Sequence, residues 1–491
     1  MGRPMKPLLI IFCLIISIVQ FCAIRTAAMI LPVSQPEYQF LYDAARRSEI
    51  ISKQYRLYHY TAPYNLNEIG VHNPMNMFGD STPGDKLTAF LFLSEDLLSA
   101  RYAHSRSYES IRGGVMGQPT ERLSFYGAFL LDERLAKDPD YRGKKWRGLA
   151  GEMETAVFNY RDNHFDILLG RFGGNWGPEN QSLVLSSTSL TMDALLTRFK
   201  WGRLFFTYQL GQLDRLRTND STEYFQNRYF VGHRLDIQLA DHLNLGLFET
   251  AVFGGAGRGI ELGYLNPLMF YHSFQLNDSV DDNTFLGIDF SYYIKQRHKI
   301  YGQILFDDFQ IEKKSAGDNE PNEIGYMLGF HSLDLGHIFD FQGEYLRINN
   351  RTYNQKLQRN RYLNRGELIG HELGPDSDQW KLSFIRWFEY QQRLSLDISY
   401  ERQGEGAVNT IWTEPWLSTP DYYESFPTGT VEKKLSASLQ FAGFVKGFAY
   451  IEVSGGIESC RNFDHIAGDN RTIPFFKARL TFILSTSLNN R

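Results

Sequence analysis

Short turns alternate with long polar loops along most of this chain, and this alternation restricts its fold more than any other feature. Runs of alternating polarity flank each turn, as expected for antiparallel strands. A barrel in an outer membrane has this asymmetry, because its periplasmic hairpins are minimal while its outward loops are long. The predicted turns are Arg161-Asp162-Asn163, Trp201-Gly202, Asp241-His242, Gln296-Arg297-His298, Asp334-Leu335-Gly336, Gln391-Gln392 and Phe444-Val445.

The composition of the 491 residues also favours a transmembrane β-barrel. Mean hydropathy is -0.35 and aromatic residues make up 15%, as expected when only alternate strand residues face lipid and rings crowd the two interfaces. Beyond the N-terminus, no apolar run reaches about 18 residues, so no membrane-spanning helix is predicted. The formal net charge of -5 shows no basic excess, so nucleic acid is not an expected partner.

The N-terminus has the three regions of a secretory signal peptide. Lys6 precedes an apolar stretch over residues 8–22, which the small residues Thr26-Ala27-Ala28 follow. We expect residues 1–28 to be removed, with cleavage after Ala28. Cys460 is then the one cysteine of the mature chain, so an intramolecular disulfide is excluded and an unpaired loop thiol is expected.

Residues 29–118 are predicted to form a mainly helical periplasmic module. Ser34-Gln35-Pro36-Glu37 has capping-box spacing, and apolar residues follow at helical intervals through Ala45. Ser94 is expected to cap a second helix through residues 97–102, whereas residues 87–93 fit a strand or a helix equally well. The module should pack on or in the mouth of the barrel.

From Leu123 onward the polarity period changes to two, which predicts an antiparallel barrel over residues 119–491. About sixteen strands are expected, with a further pair in a long loop, giving 16 to 18; an even count places both termini on the periplasmic side. A large water-soluble β-sandwich or barrel is the alternative, but it rarely combines a signal peptide with this turn asymmetry. The strands should start near residues 123, 148, 164, 193, 203, 229, 243, 284, 299, 322, 337, 378, 393, 432, 446 and 473.

Acidic residues recur on the inferred inner face of the strands. Charge is ordinary in a hydrated lumen, and we expect most of these carboxylates to pair with inward Arg and Lys. They are Asp236, Asp289, Asp340, Glu344, Asp397 and Glu401.

A series of short stretches between residues 165 and 311 resembles one known family. They are Gly170-Arg171-Phe172-Gly173-Gly174-Asn175-Trp176-Gly177-Pro178, Arg228-Tyr229 with Gly232-His233-Arg234, Gly257-Arg258-Gly259, Tyr264-Leu265-Asn266-Pro267, Leu276-Asn277-Asp278, Asp281-Asp282-Asn283-Thr284, and Tyr301-Gly302-Gln303 with Asp307-Asp308-Phe309. Their order is similar to that of the Wzi-like capsule-assembly family. The resemblance implies an outer-membrane barrel of about eighteen strands with a helical periplasmic module, acting as a lectin that attaches capsular polysaccharide to the cell surface.

Glycan binding calls for aromatic rings that stack on sugars and polar groups that bond hydroxyls. Trp176 is placed in an outer loop, with an interface anchor at the barrel rim as the equal alternative. Trp412 and Trp416 lie beside Glu414 and Asp421 and form either a sugar platform or loop core. The candidate polysaccharide-binding residues are Arg171, Asn175, Trp176, Arg258, Tyr264, Asn277, Asp278, Asp281, Asp282, Arg351, Arg359, Arg361, Trp412 and Trp416.

Two charged segments add further hypotheses. The segment 347–365 contains six cationic residues and no Asp or Glu, so it would attract an acidic polymer, or contact lipopolysaccharide phosphates, or simply be solvated. The six are Arg347, Arg351, Lys356, Arg359, Arg361 and Arg365. Asp278, Asp281 and Asp282 match no calcium-loop template; we expect them to bond glycan hydroxyls or to brace loops through Arg258 and Arg234, and we predict no metal or other cofactor.

Three function classes therefore compete. A polysaccharide-anchoring lectin comes first, and a porin or solute transporter, which needs an open lumen, comes second. An outer-membrane hydrolase is third, because its available histidines (His233, His272, His331, His337 and His371) sit in no nucleophile motif, so no enzyme is predicted. The expected partners are surface polysaccharide, outer-membrane lipids and lipopolysaccharide, with capsule export or barrel assembly machinery as further candidates; the protein is expected to be a monomer.

Overall fold

A computed structural model describes most of the chain after the N-terminal segment. The proposed signal peptide and the cap residue Ser34 lie outside the described residues. Within the described residues, no helix is both long and apolar enough to cross a bilayer. The described residues are 32–33, 35–52, 61–63, 86–100, 103–120, 122–139, 141, 143–217, 225–278, 280–309, 319–389, 391–445 and 448–489.

The described strands form one closed antiparallel barrel of eighteen long strands, in which each strand pairs with the next along the chain and the last pairs with the first. In chain order they are β1 Lys86–Ala100, β2 Ala103–Gly117, β3 Leu123–Asp132, β4 Leu149–Arg161, β5 Phe165–Phe172, β6 Met192–Trp201, β7 Leu204–Gln212, β8 Phe225–Ala240, β9 Leu243–Ala256, β10 Asn283–Ile294, β11 His298–Asp308, β12 Glu323–Leu335, β13 Phe339–Ile348, β14 Ser377–Phe388, β15 Gln392–Gln403, β16 Glu432–Val445, β17 Ala449–Arg461 and β18 Asn470–Asn489.

Short turns gather at one end of the barrel, here called the short-turn end. All seven turns predicted from the sequence fall there, within a residue or two of the observed strand ends. The opposite, long-loop end carries the long connections, including those over residues 173–191, 257–282, 349–376 and 404–431. The asymmetry that predicted a barrel is thus confirmed.

Strand residues alternate between an apolar outer face and a polar or packed inner face. Leu286 and Leu439 point outward and are about half exposed, as expected for a lipid-facing wall. Rings concentrate near both ends of this wall: Trp201 is 79% exposed beside a short turn, while Tyr345 and Trp380 pack 4.5 Å apart near the long-loop end. These are the positions of the two aromatic girdles of a membrane barrel.

The predicted inner-face carboxylates do face the interior, and each has a partner. Asp236 and Asp289 flank the fully buried Arg234, and Glu401 accepts a 2.9 Å contact from Lys434. The other three are bonded as follows: Asp340 by Arg47, Glu344 by the Tyr301 hydroxyl, and Asp397 by the hydroxyls of Ser383 and Ser395.

The predicted helical module is only partly helical. Helix α1, Pro36–Ser52, is present as its capping-box pattern predicted, but residues 86–100 and 103–117 form β1 and β2 rather than a second helix. The reason is that the first half of β1 is mainly apolar on both faces. Phe90 and Phe92 point inward onto Tyr126 and Tyr38, while alternate leucines face lipid, so no polar alternation marks the strand.

Helix α1 lies inside the barrel near the short-turn end. Phe40 is fully buried and meets Trp387, Phe444 and Tyr450 edge-on. Ion pairs hold the helix to the wall on several sides: Glu37 pairs with Arg112, Asp43 with Arg393, and Arg47 with Asp340 at 2.6 Å. A helix held on several sides in this way occupies part of the lumen.

Cys460 lies in β17 and is buried, so the expectation of a loop thiol is wrong.

The remaining elements are short and lie in the loops. The helices are α2 Glu133–Lys137, α3 Leu262–Leu265, α4 Tyr271–Asp278 and the 3₁₀ turns Gln358–Asn360, Pro415–Leu417 and Phe463–His465; the two-residue strands are Thr61–Ala62, Lys145–Trp146, Asn175–Trp176, Leu216–Arg217, Leu363–Asn364 and Glu367–Leu368.

Candidate functional site

The 173–191 loop starts at the long-loop end but folds inward, down the lumen. Asn175 and Trp176 are almost completely buried, and Trp176 packs on Phe230 with ring centroids 6.3 Å apart. Its ring lies 2.9 Å from where a Cβ on Gly232 would stand, so only glycine fits there. Trp176 is therefore neither a sugar platform nor a rim anchor, and both interpretations drawn from the sequence are wrong.

The tip of the same loop reaches helix α1. Lys299 contacts the Glu179 carboxylate at 2.9 Å, and Arg46 of α1 lies 4.0 Å from it. Burial alone would raise the pKa of Glu179, but these two cations outweigh it and lower the pKa. Glu179 thus stays ionised and joins the inserted loop to the helix and to the wall.

The 349–376 loop covers the inserted loop from the long-loop end. The hydroxyls of Tyr353 and Tyr362 donate to the backbone oxygens of Leu183 and Val184, at 2.6 and 2.7 Å. Together with α1, the two loops fill one side of the lumen with a plug. No local sequence pattern distinguishes a loop that folds inward from one that extends outward.

Arg228 holds the 349–376 loop and was not among the predicted site residues. Its guanidinium donates to the backbone oxygens of Arg359, Arg361 and Leu363 and pairs with Asp214 at 2.8 Å. An arginine at an inward strand position was the available signal. Arg359 and Arg361 contribute backbone atoms here, and both side chains are partly exposed.

A second cluster, here called the outer cluster, joins the 349–376 and 404–431 loops. The Arg351 guanidinium lies 4.8 Å from the Trp416 ring and 2.7 Å from the Glu424 carboxylate. Tyr422 donates to the same carboxylate at 2.9 Å. Trp416 and Arg351 are buried, so the loop-core interpretation of Trp416 is the correct one and these residues support the surface above them.

Above the outer cluster, the 404–431 loop presents an exposed apolar and aromatic surface, here called the outer-loop surface. Tyr423 is 88% exposed, Ile411 82% and Leu417 71%. Trp412 is partly exposed and donates to Glu414 at 3.3 Å. Tyr423 was missed from the sequence, although adjacent tyrosines in a proline-containing loop were a usable signal.

Exposed polar side chains border the outer-loop surface. Glu414 and Asp421 are exposed on the same loop, and Lys356 is exposed on the neighbouring one. The Arg361 guanidinium approaches the Thr410 backbone oxygen at 3.3 Å, which joins the two loops. Rings flanked by carboxylates, an ammonium and a guanidinium suit stacking on sugars and bonding of hydroxyl or carboxylate groups.

The predicted acidic residues of the 257–282 loop have different environments: Asp282 is buried and bonded, whereas Asp281 is exposed. Arg258 bonds both oxygens of Asp282, at 2.6 and 2.9 Å, and Tyr264 donates to it at 2.7 Å. Asp282 and Tyr264 are buried, which favours the bracing role. Asn277 and Asp281 are exposed, and the Asp278 side chain lies outside the described residues.

Two further expectations concern arginines. Arg234 faces the lumen with Asp236 and Asp289 and does not brace the acidic loop, so that part of the expectation is wrong. Arg171 lies on the outer wall, bonded at two points to Asp193, at 2.9 and 2.6 Å, and so is not part of the loop surface. Among the described residues, no group of three or more His, Cys, Asp or Glu has the arrangement to hold a metal ion.

A polar cavity of about 1080 Å³ remains between the plug and the opposite wall. Its lining includes Asp43 and Arg47 of α1 and the wall residues Glu344, Lys381 and Arg393. Mixed charges of this kind bind water or the hydroxyls of a carbohydrate.

Comparison with known proteins agrees with this geometry. The family model described as capsule assembly protein Wzi matches residues 97–473. Among solved structures, the Escherichia coli Wzi, described as an outer membrane protein involved in group 1 capsule assembly and a carbohydrate-binding β-barrel, superposes with a TM-score of 0.61 at 14% identity, covering 94% of this chain and 100% of that chain.

More distant barrels also match. Acinetobacter baumannii OccAB2 has a TM-score of 0.48 at 13% identity, covering 81% of this chain and 98% of its own, and Pseudomonas aeruginosa OprD has 0.45 at 9%, covering 81% and 95%. Among curated proteins, none matches this sequence. Because the family model spans most of the barrel, this chain belongs to the Wzi capsule-assembly family.

Proposed function

We propose that the protein is an outer-membrane lectin that binds capsular or other surface polysaccharide at the outer-loop surface and anchors it to the cell. The observation that carries the proposal is the exposure of Tyr423 and Trp412 above the buried outer cluster. The outer cluster fixes the loop that carries these rings, so the loop loses little conformational entropy when a sugar binds. The relative from Escherichia coli, described as carbohydrate-binding, supports the same class of ligand.

The orientation follows from the same proposal. The short-turn end and both termini lie in the periplasm after export by the cleaved signal peptide, and the long loops lie outside. The protein acts as a monomer without enzymatic activity, surrounded by lipopolysaccharide, and it receives polymer from the capsule export machinery. A porin or transporter function is less well supported, because α1 and two loops occupy much of the lumen.

The proposal is tested in cells that lack the gene. Deletion should increase shed polysaccharide at the expense of cell-attached polysaccharide while total synthesis stays constant. Complementation with the wild type should restore attachment, whereas Tyr423→Ala combined with Trp412→Ala should not. Unchanged attachment after deletion would remove the anchoring role.

Direct binding separates the lectin role from indirect effects. Purified protein should bind immobilised polysaccharide about tenfold more weakly for each ring removed, equivalent to about 1.4 kcal/mol. Tyr423→Phe is the matched control, because it keeps the ring and should bind as the wild type does. Equal binding by the alanine and phenylalanine variants would place the site elsewhere.

A further inference from the structure

The 257–282 loop folds back over the outside of the barrel. In β9, Phe248 and Val252 belong to the core inside the barrel, so the alternate residues Glu249, Ala251 and Phe253 point outward. Yet all three are buried. They are therefore covered by something other than the barrel wall itself.

Helices α3 and α4 form that cover. Tyr264 of α3 stacks on Phe253 with ring centroids 4.0 Å apart, and Tyr271 of α4 is buried in the same cluster. The cluster also contains outward residues of the neighbouring strands, among them Tyr208 and Val231. We call α3, α4 and their connection the clasp.

A buried carboxylate fixes the clasp to the wall. The backbone N–H groups of Tyr271 and His272, at the start of α4, donate to the two Glu249 oxygens at 2.9 Å each. His233 lies 3.3 Å from the same carboxylate. An ionised group on a lipid-facing wall is costly unless it is covered and bonded, and the clasp supplies both.

The other side of the clasp is apolar and exposed. Leu262 is 84% exposed, Leu268 83% and Leu276 69%. On the lipid-facing wall, the outward neighbours of Glu249 in β9 and β10, Leu247 and Leu286, are also exposed. A strand crosses the hydrocarbon with about 9–11 residues, so a clasp bound at Glu249, near the middle of β9, reaches the depth of the membrane.

Positively charged side chains lie beside the clasp at the long-loop end. Arg215 and Arg217 are exposed. Arg217 pairs in register with Phe225, which shares the outward face of β8 with Val231. Cations above an apolar face match a lipid that carries phosphate at its headgroup.

We propose that the clasp is immersed in the outer leaflet, where its leucine face packs against lipopolysaccharide acyl chains and Arg215 and Arg217 meet the phosphate groups. The clasp thereby adds a layer outside the wall on one side of the barrel and gives the protein a defined contact with lipid. This proposal is independent of polysaccharide binding, which uses the 404–431 loop.

Spin labelling tests the position of the clasp. In a Cys460→Ser background, nitroxides at Leu268→Cys and at Ser418→Cys, an exposed control on the 404–431 loop, are compared in vesicles of phosphatidylethanolamine, phosphatidylglycerol and lipopolysaccharide. We expect the label at 268 to be relaxed several-fold more by oxygen than by a nickel chelate, and the label at 418 to show the reverse. Equal nickel access at both positions would overturn the proposal.

Two further measurements distinguish lipopolysaccharide from a second copy of the chain on the leucine face of the clasp. Spin–spin broadening at 268 that persists on dilution in lipid would show a second copy of the chain on this face and overturn lipid packing. In the wild type, the label at 268 should be more immobilised in vesicles with lipopolysaccharide than in vesicles without it. Arg215→Gln with Arg217→Gln should remove this difference. Immobilisation that is absent in the wild type, or unchanged in this variant, would overturn the phosphate contact.

Discussion

At the scale of single residues, the buried ion pairs inside the barrel are the most specific contacts. Arg234 is 0% exposed and bonds Asp236 and Asp289. Removing one partner leaves uncompensated charge in a place that water does not reach, which is far more costly than losing an exposed pair.

Arg234→Met should therefore destabilise the barrel by roughly 3–5 kcal/mol. The matched control is Arg203→Met, because Arg203 pairs with Asp241 at a comparable 3.0 Å while both side chains are exposed; it should cost at most about 1 kcal/mol. Denaturant unfolding in detergent micelles measures both values. Similar losses in the two variants would contradict the importance of burial.

At the scale of elements, the sequence predicted features that depend on neighbouring residues, but it did not predict features that depend on packing between distant parts of the chain. The short turns and the start of α1 depend on residues adjacent in sequence, so both appeared where expected. Residues 87–93 of β1 were left open between strand and helix because Phe92 and Phe90 point inward onto Tyr38 and Tyr126, which removes the polar alternation. Trp176 was misplaced because only the whole barrel determines that its loop turns inward.

For the candidate site too, the sequence predicted which residues meet but not which of them are exposed. Trp416 and Arg351 were named from the sequence and do meet, but as support rather than as ligand contacts. Tyr423, which is the most exposed ring of the outer-loop surface, was not named. Sequence identifies which loops hold aromatic and charged residues, whereas exposure depends on how two distant loops pack.

The 349–376 loop should loosen in acid. Burial, with a smaller contribution from Lys381, lowers the pKa of His371 from 6.5 to about 3. The folded loop thus favours neutral His371, so its stability is full above about pH 6.5 and is lost as pH falls toward 3.

Limited proteolysis at the loop as a function of pH measures this effect. Cleavage should rise as pH decreases below about 6.5. His371→Asn keeps an acceptor for the Leu373 N–H, which now bonds His371 Nδ1, and should flatten the profile. A wild-type profile that does not change with pH would exclude His371 as the cause.

At the scale of the whole molecule, the plug determines what the barrel passes. Helix α1 is held by Asp43 to Arg393 and by Arg47 to Asp340, while the 173–191 loop is held to it by Asn180. We expect almost no ion current through the wild type in planar bilayers.

Asp43→Ala combined with Arg47→Ala should increase that current by releasing α1 from the wall. Arg203→Ala, at an exposed short-turn pair, is the control and should stay silent. A large steady current through the wild type would favour the porin alternative instead.

The salt dependence of polymer retention tests long-range attraction. The segment 347–365 is less available than its charge suggests, because Arg351 is buried against Glu424. Lys356→Gln with Arg361→Gln should reduce retention of an acidic polymer, and more at low salt than at high salt. A loss independent of salt would indicate direct contact rather than attraction at a distance.

The pairing of the first strand with the last also has a consequence for biogenesis. Ser94 and Thr481 bond across this seam at 2.9 Å, so the final ladder cannot form before the C-terminal strand has been delivered. Helix α1 precedes β1 in the chain yet ends enclosed by the wall. We therefore expect α1 to dock inside the wall while this seam forms, so that folding of the N-terminal helix is coupled to arrival of the C-terminal strand.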